Sequence, residues 1–393
     1  MRRGLITFLI LFMYISIFAQ EDSVVLSYRR NFIRASLITK IELIQDAGKI
    51  QERDMSPLYA EALDFVLSYA PVLGEDSNLE KLALTVSGFL GVNGSSPELF
   101  EPSWKLFEVY GSSEIKTNIL KAIPFLVDEN NRNLAVENIN NYLAQQIDRQ
   151  SQGMVFDKNV VSEAVSALGI LSDSSSFDVL YKGVMTFSDN ELILLCFDSL
   201  ANLEGLVREN ISRMLSMGSY QDKLKVFRMA VSSSYVDDIT RGELAEEALE
   251  AALNADKDNE DQSALELRYE AVSVITDVKW VKASPLAIKH FYLAQDDYRR
   301  GNATISMFVD SIKCLGVMGT AEAAQSLSIY LGLLNSEMEQ TKNYNEQVLL
   351  AIIKSLGDLG DKSAFDYLLY VSYLDYPESI KVASRDALER LKW

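Results

Sequence analysis

The phrase Leu356-Gly357-Asp358-Leu359-Gly360-Asp361 constrains this chain more than any other feature, because it recurs. Leu315-Gly316-Val317-Met318-Gly319-Thr320, Leu168-Gly169-Ile170-Leu171-Ser172-Asp173 and Leu90-Gly91-Val92-Asn93-Gly94-Ser95 repeat its pattern upstream. A phrase that returns at intervals of tens of residues marks a stacked architecture, in which each unit covers the apolar face of the next.

Each copy reads as the end of one helix, a tight turn and the start of another. The leucine closes an apolar stripe with helical spacing: Val160, Ala164, Ala167, Leu168 and Leu171 in one copy, Leu349, Ile352, Ile353, Leu356 and Leu359 in another. Gly94, Gly319 and Gly360 stand where a left-handed residue ends a helix, a slot held by Ser172 in the remaining copy. Ser95, Asp173, Thr320 and Asp361 come next, all residue types whose side chains cap free N–H groups at a helix start. Pro97 and Pro285 suit the first turns of second helices. The inner glycines Gly91, Gly169, Gly316 and Gly357 fall within the first helix, where each costs about 1 kcal/mol relative to alanine. A cost repeated in register predicts that a neighbouring helix approaches closely there.

Ile123, Leu200 and Ile275 hold the leucine position in weaker copies, and Val231 is a further candidate. Successive anchors from Leu90 to Leu356 are then 31 to 45 residues apart. Tetratricopeptide arrays keep a strict 34-residue period, so that class does not fit. The phrases at 168–173, 315–320 and 356–361 resemble the Leu-Gly-x-Leu-Gly-Asp core of HEAT repeats, especially the short subtype first described in phycobilisome lyases. The resemblance implies an all-α fold, an α-solenoid of HEAT-like helical pairs. It does not imply lyase chemistry, since such repeats serve as scaffold in unrelated proteins.

The organisation expected along the chain is a signal peptide over 1–19, an N-terminal helical cap over 23–75 and a solenoid over 78–393. Arg2 and Arg3 precede an almost unbroken apolar run from Leu5 to Phe18, and polar sequence starts after Ala19. That run is shorter than the roughly 20 residues that span a bilayer comfortably, so a cleaved export signal is expected, with an uncleaved anchor as the alternative. Within the cap, Ser23–Ala47 reads as one long amphipathic helix stopped by Gly48, and Ser56-Pro57 opens a second helix to about Ala70. Pattern breaks at Asp148–Gly153, Asn254–Ser263 and Asn335–Asn345 read as long loops or extended helix ends. A final helix is expected over about Pro377–Leu391.

The net charge of −19 opposes nonspecific contact with nucleic acid or anionic membrane, and favours basic partners or cations. Cys196 and Cys314 are the only cysteines. They lie about three repeats apart, some 20–30 Å at a helix spacing of 8–10 Å, far beyond the roughly 7 Å that a disulfide allows. Two buried free thiols are expected.

His290 is the single histidine, and no Gly-x-Ser-x-Gly elbow accompanies it. A His-cluster metal site is thereby excluded and a Ser-His-Asp triad has no support. His290 is expected at the surface, or partly buried, on a second helix. Asp256–Asp261 lacks the glycine and glutamate that a calcium loop needs at its sixth and twelfth positions, and reads as a solvated acidic loop. Asn93, Asn210 and Asn302 sit in glycosylation-type triplets that carry no weight alone.

One surface stands out. In the second helix of the last repeat, Tyr367 and Tyr370 share a face distinct from the Ala364/Leu368/Val371 stripe. Exposed aromatics there would anchor a protein partner; packing between repeats is the alternative. The expectation is an exported scaffold or adaptor without catalytic activity, periplasmic or secreted, recognising a protein across an extended acidic surface. It would use no cofactor or metal, no nucleic acid, and a membrane only if the N-terminal segment is retained. An enzyme accessory by lyase analogy and a membrane-tethered envelope assembly factor are the other readings.

Overall fold

The computed structural model describes residues 22–73, 76–255 and 261–392. The expected signal peptide, 1–19, lies outside them. Among the described residues the chain is helical, with two isolated β-bridges in place of any sheet. Two compact units divide it, the first ending at Glu204 and the second starting at Gly205.

The first unit contains α1 (Ser23–Arg34), α2 (Leu37–Gly48), α3 (Ser56–Leu73), α4 (Ser77–Ser87), α5 (Phe100–Val109), α6 (Ser113–Leu126), α7 (Arg132–Ser151), α8 (Lys158–Leu171), α9 (Phe177–Thr186) and α10 (Asn190–Ala201). The second contains α11 (Val207–Ser216), α12 (Tyr220–Ser232), α13 (Asp238–Leu253), α14 (Gln262–Val278), α15 (Ser284–Arg300), α16 (Ile305–Val317), α17 (Ala321–Thr341), α18 (Glu346–Leu359), α19 (Phe365–Val371) and α20 (Glu378–Glu389). In both units each odd-numbered helix packs on the even-numbered helix that follows it. Even helices also pack in succession, α2 to α10 in one unit and α12 to α20 in the other, and odd helices α11 to α19 do the same. Each unit is thus a two-layered stack of helical pairs, the arrangement in which a helix with one apolar stripe buries it against neighbours alone.

The recurring phrase forms the joints. Leu168, Leu315 and Leu356 are fully buried. Ser172, Gly319 and Gly360 are left-handed, with φ of 50°, 64° and 68°. The N–H groups of Ser172 and Gly360 return to the carbonyls of Leu168 and Leu356 at 2.8 and 3.0 Å, closing α8 and α18. Asp173, Thr320 and Asp361 then accept from the N–H groups of Ser175, Ala323 and Ser363 at 2.9, 3.3 and 2.8 Å. Hydrogen bonds from Ser175 and Ser363 hold the Asp173 and Asp361 carboxyls below the usual range. Pro97 and Pro285 open a 3-10 turn before α5 and the first turn of α15, as expected.

The inner glycines sit at close approaches between successive even helices. A Cβ at Gly169 would lie 2.8 Å from Ser199 Oγ on α10. At Gly316 it would lie 2.8 Å from Ser355 Cβ on α18, and at Gly357 3.0 Å from the Ala387 Cα on α20.

The first copy departs from this scheme. α4 ends at Ser87, so Gly91 lies beyond the helix, and it is Gly91 rather than Gly94 that is left-handed, at φ 75°. Ser95 caps nothing; Ser96 leads the 3-10 turn Pro97–Leu99 without a side-chain bond. The reason is Asn93, which is buried and tied to distant backbone. Its Nδ2 donates to the carbonyls of Ala47 and Ile50 at 2.9 and 2.8 Å, and its Oδ1 accepts from Tyr59 Oη at 2.6 Å. An asparagine so engaged is closed to glycosylation.

Two further expectations are corrected. Residues 23–47 form two helices, because Ala35 is extended and Ser36 caps α2 through Thr39 N–H. Lys40, itself buried, reaches back to the Phe32 carbonyl at the end of α1 and lies over the Phe32 and Phe65 rings. Val231 is only half-buried; Phe227 and Ala230 occupy the core of α12. The break at Asn335–Asn345 takes the second of its two expected forms, an extended helix end, since α17 continues to Thr341 and ends on left-handed Lys342.

Candidate functional site

The side chains with most chemical potential are enclosed. His290 is fully buried on α15, rather than at the surface or partly exposed as its sequence setting suggests. Its Nε2 lies 2.7 Å from Ser311 Oγ on α16, and that hydroxyl gives its one proton to the Met307 carbonyl at 3.0 Å. Ser311 therefore accepts, which makes His290 the neutral Nε2–H tautomer. Nδ1 is buried with no hydrogen-bond partner, and the Tyr269 ring meets the imidazole edge-on at 4.9 Å. Burial, then the nearby Arg268 cation, pushes the imidazole pKa well below its ordinary value. A base sealed in this way has no route to a substrate.

Arg268 is 6% exposed and ion-paired with Asp297. The pair forms part of the wall of a cleft of about 300 Å³, together with Leu265, Leu293 and Arg300. Cys196 and Cys314 are free and buried, as expected, and burial pushes the thiols up to about 12 and about 11. No cluster of three potential metal ligands occurs among the described residues. The acidic stretch Asp256–Asp261 lies outside them except for Asp261.

Exposed large apolar side chains occur in both units, Val72, Phe125, Val155 and Ile170 among them, and several lie on successive odd helices of the second unit. Tyr292 on α15, Ile329 and Leu333 on α17, Tyr370 on α19 and Tyr373 just after it are 45%, 44%, 53%, 40% and 74% exposed. They fall on three successive odd helices that pack in order, and form a band by that placement. Phe291 and Tyr330, neighbours of Tyr292 and Ile329, bring their rings to 5.7 Å, which ties α15 to α17 at this level. Tyr367 ties α17 to α19: its ring lies over Gly332, where a Cβ would come within 2.9 Å, and its carbonyl accepts from Asn335 Nδ2 at 3.2 Å. Exposed positions on α17 recur at helical spacing through Glu322, Gln325, Ile329, Leu333 and Glu337, so the aliphatic pair is framed by carboxylates.

The two tyrosines singled out from sequence both lie against α17, with different consequences. Tyr367 is half-buried and fills the notch left by Gly332. Tyr370 stays open, its hydroxyl donating to the Glu339 carboxylate at 3.3 Å, and that negative neighbour raises the phenol pKa. Ile329, Leu333 and Tyr292 escaped the sequence reading, whereas Tyr373 belongs to the aromatic set of the last repeat's second helix from which Tyr367 and Tyr370 were drawn. The apolar residues at i and i+4 on α17 were the available signal, masked because the same helix carries a second, buried stripe through Leu327, Leu331 and Met338.

No protein-family model matches the chain, and no curated protein matches it. Among solved structures the chain is similar to an engineered protein, at 15% identity and a TM-score of 0.36, over 93% of this chain and 98% of that one. It is also similar to a chain from the computational design of self-assembling cyclic homooligomers, at 13% identity and a TM-score of 0.12, over 79% and 94%. Scores this low carry no argument about function, and the functional reading rests on the residues of the chain itself.

Proposed function

We propose that this protein is a scaffold or adaptor without catalytic activity, built as a HEAT-type solenoid and exported by way of residues 1–19, that recognises a protein partner. The exposed band from Tyr292 to Tyr373 carries this reading. Large apolar side chains on the open face of a helical stack add nothing to its core, and several of them on neighbouring helices have the composition of an interaction surface. The chemistry-bearing groups point the same way: the only imidazole and both thiols are enclosed. The HEAT assignment is supported by the left-handed joints, their caps and the in-register glycines. Export is supported by the basic, apolar and small-residue sequence of 1–19.

Crosslinking in the native envelope, followed by purification of the tagged full chain, tests the proposal. Recovery of a defined protein in stoichiometric amount is the expected result. A profile of small molecules with no protein captured would remove the scaffold reading.

A further inference from the structure

The band can be assigned a kind of partner, an inference that rests on the scaffold reading. The segments 321–341 and 365–377 contain five carboxylates, Glu322, Glu337, Glu339, Asp366 and Asp375, and no lysine, arginine or histidine. Among the described residues, Asp375 has the one ion pair of the five, a loose 3.9 Å contact with Lys342. Among the described residues, the Glu339 carboxylate accepts from the Tyr370 hydroxyl and from no cation. The negative charge is thus concentrated on α17 and α19, around Leu333 and Tyr373, whereas α15 places exposed Lys289, Arg299 and Arg300 with Asp296 near Tyr292. Apolar anchors beside unpaired carboxylates complement a ligand that combines leucine-like side chains with lysine or arginine.

Backbone chemistry selects the form of that ligand. The peptide groups of α17 and α19 are used within their helices, so an extended strand laid across them finds no main-chain partners. A helix satisfies its own peptide groups and presents a stripe of side chains. Three stacked helices about 8–10 Å apart give a band some 20 Å across, the length of a helix of about 13 residues. We infer that the outer face of α15, α17 and α19 binds a cationic amphipathic helix of the partner protein, with Leu333 and Tyr373 as apolar anchors and Glu337 and Glu339 as charge contacts.

The test uses the full chain and three fluorescent probes of about 15 residues. One is an amphipathic leucine/lysine helix, the second replaces its lysines by glutamate, and the third is oligolysine. Anisotropy titrations should show the leucine/lysine helix binding at least roughly tenfold tighter than either control. Leu333→Asp/Tyr373→Asp and Glu337→Lys/Glu339→Lys should each weaken it by roughly tenfold or more with unchanged melting, because all four positions are exposed. Ile170→Asp, an equally open position of the first unit, should leave binding intact. Equal binding of the glutamate helix, or native-melting variants that bind like the parent, would overturn the inference. So would co-sedimentation with neutral phosphatidylcholine vesicles that Leu333→Asp abolishes, which would give the band to a membrane. A native partner still crosslinked by Leu333→Asp/Tyr373→Asp would refute this face while leaving the scaffold reading in place. A parent chain that captures no protein would refute both.

Discussion

Gly316→Ala is the sharpest test of how the joints work. Intrinsic propensity favours the change by up to about 1 kcal/mol, since Gly316 lies in the last turn of α16 and alanine is the better helix former. The packing opposes it. The new Cβ would sit 2.8 Å from both Cβ and Oγ of Ser355 and 3.2 Å from its Cα. Carbon atoms rest at about 3.5–4.0 Å, so the overlap approaches 1 Å at the first two atoms, and the Cα is backbone that moves only with α18. Overpacking of this kind costs about 1–3 kcal/mol, which outweighs the propensity gain and predicts a net loss of up to about 2 kcal/mol. Ser355→Gly removes two of the three clashing atoms, so the double variant should recover stability, with a coupling of at least about 0.5 kcal/mol in the cycle. Gly111→Ala is the control: nothing lies within 4 Å of its Cβ position and its φ is not left-handed, so it should be neutral or stabilising by about 0.4–1 kcal/mol. Urea unfolding followed by circular dichroism reads the four variants against the parent. If Gly316→Ala is as stable as the parent and shows no coupling to Ser355→Gly, the in-register glycines are not there for close approach.

Other consequences follow from the buried groups. His290 is neutral when folded and its pKa is depressed, so its contribution to stability is complete above the unfolded value of about 6.5 and is lost as pH falls below it, at up to about 1.4 kcal/mol per pH unit. The parent should therefore lose stability between pH 6.5 and 5 faster than His290→Phe does; parallel profiles would refute the burial argument. Asn93→Ala strands the carbonyls of Ala47 and Ile50 and the Tyr59 hydroxyl, and should cost at least about 2 kcal/mol in urea unfolding, whereas a neutral result would mean the clasp is dispensable. Cys196 and Cys314 should resist an aromatic disulfide reagent at pH 8 in the native protein and react after unfolding; rapid native labelling would contradict their enclosure.

The joints at Leu168, Leu315 and Leu356 were legible because their chemistry is local. A left-handed residue, a capping side chain and the N–H groups it binds all fall within a few residues, so the sequence carries the interaction whole. The break at Ala35–Ser36 was not legible, because the apolar spacing of α1 and α2 continues through it; a carbonyl at Phe32 answered by buried Lys40 accompanies the turn. The first copy of the phrase looked like the others until Asn93 engaged Ala47, Ile50 and Tyr59, residues 34 to 46 positions away.

The candidate surface divides in the same way. The sequence pointed to Tyr367 and Tyr370 as sharing a face, which helical periodicity alone implies. Which of the two stays open depends on α17, an earlier helix that offers a notch at Gly332 to one and a carboxylate at Glu339 to the other. His290 likewise reads as an ordinary helix residue, and becomes a sealed neutral base through Ser311, Tyr269 and Arg268 on α16 and α14. Sequence by itself determined the all-helical repeat and, in three of the four copies, its joints and glycine register, because these follow from backbone sterics and hydrogen bonds made within one turn. The tertiary structure decided which residues are buried, which are clasped and which are left open, because those outcomes belong to contacts between helices that the chain brings together only by stacking.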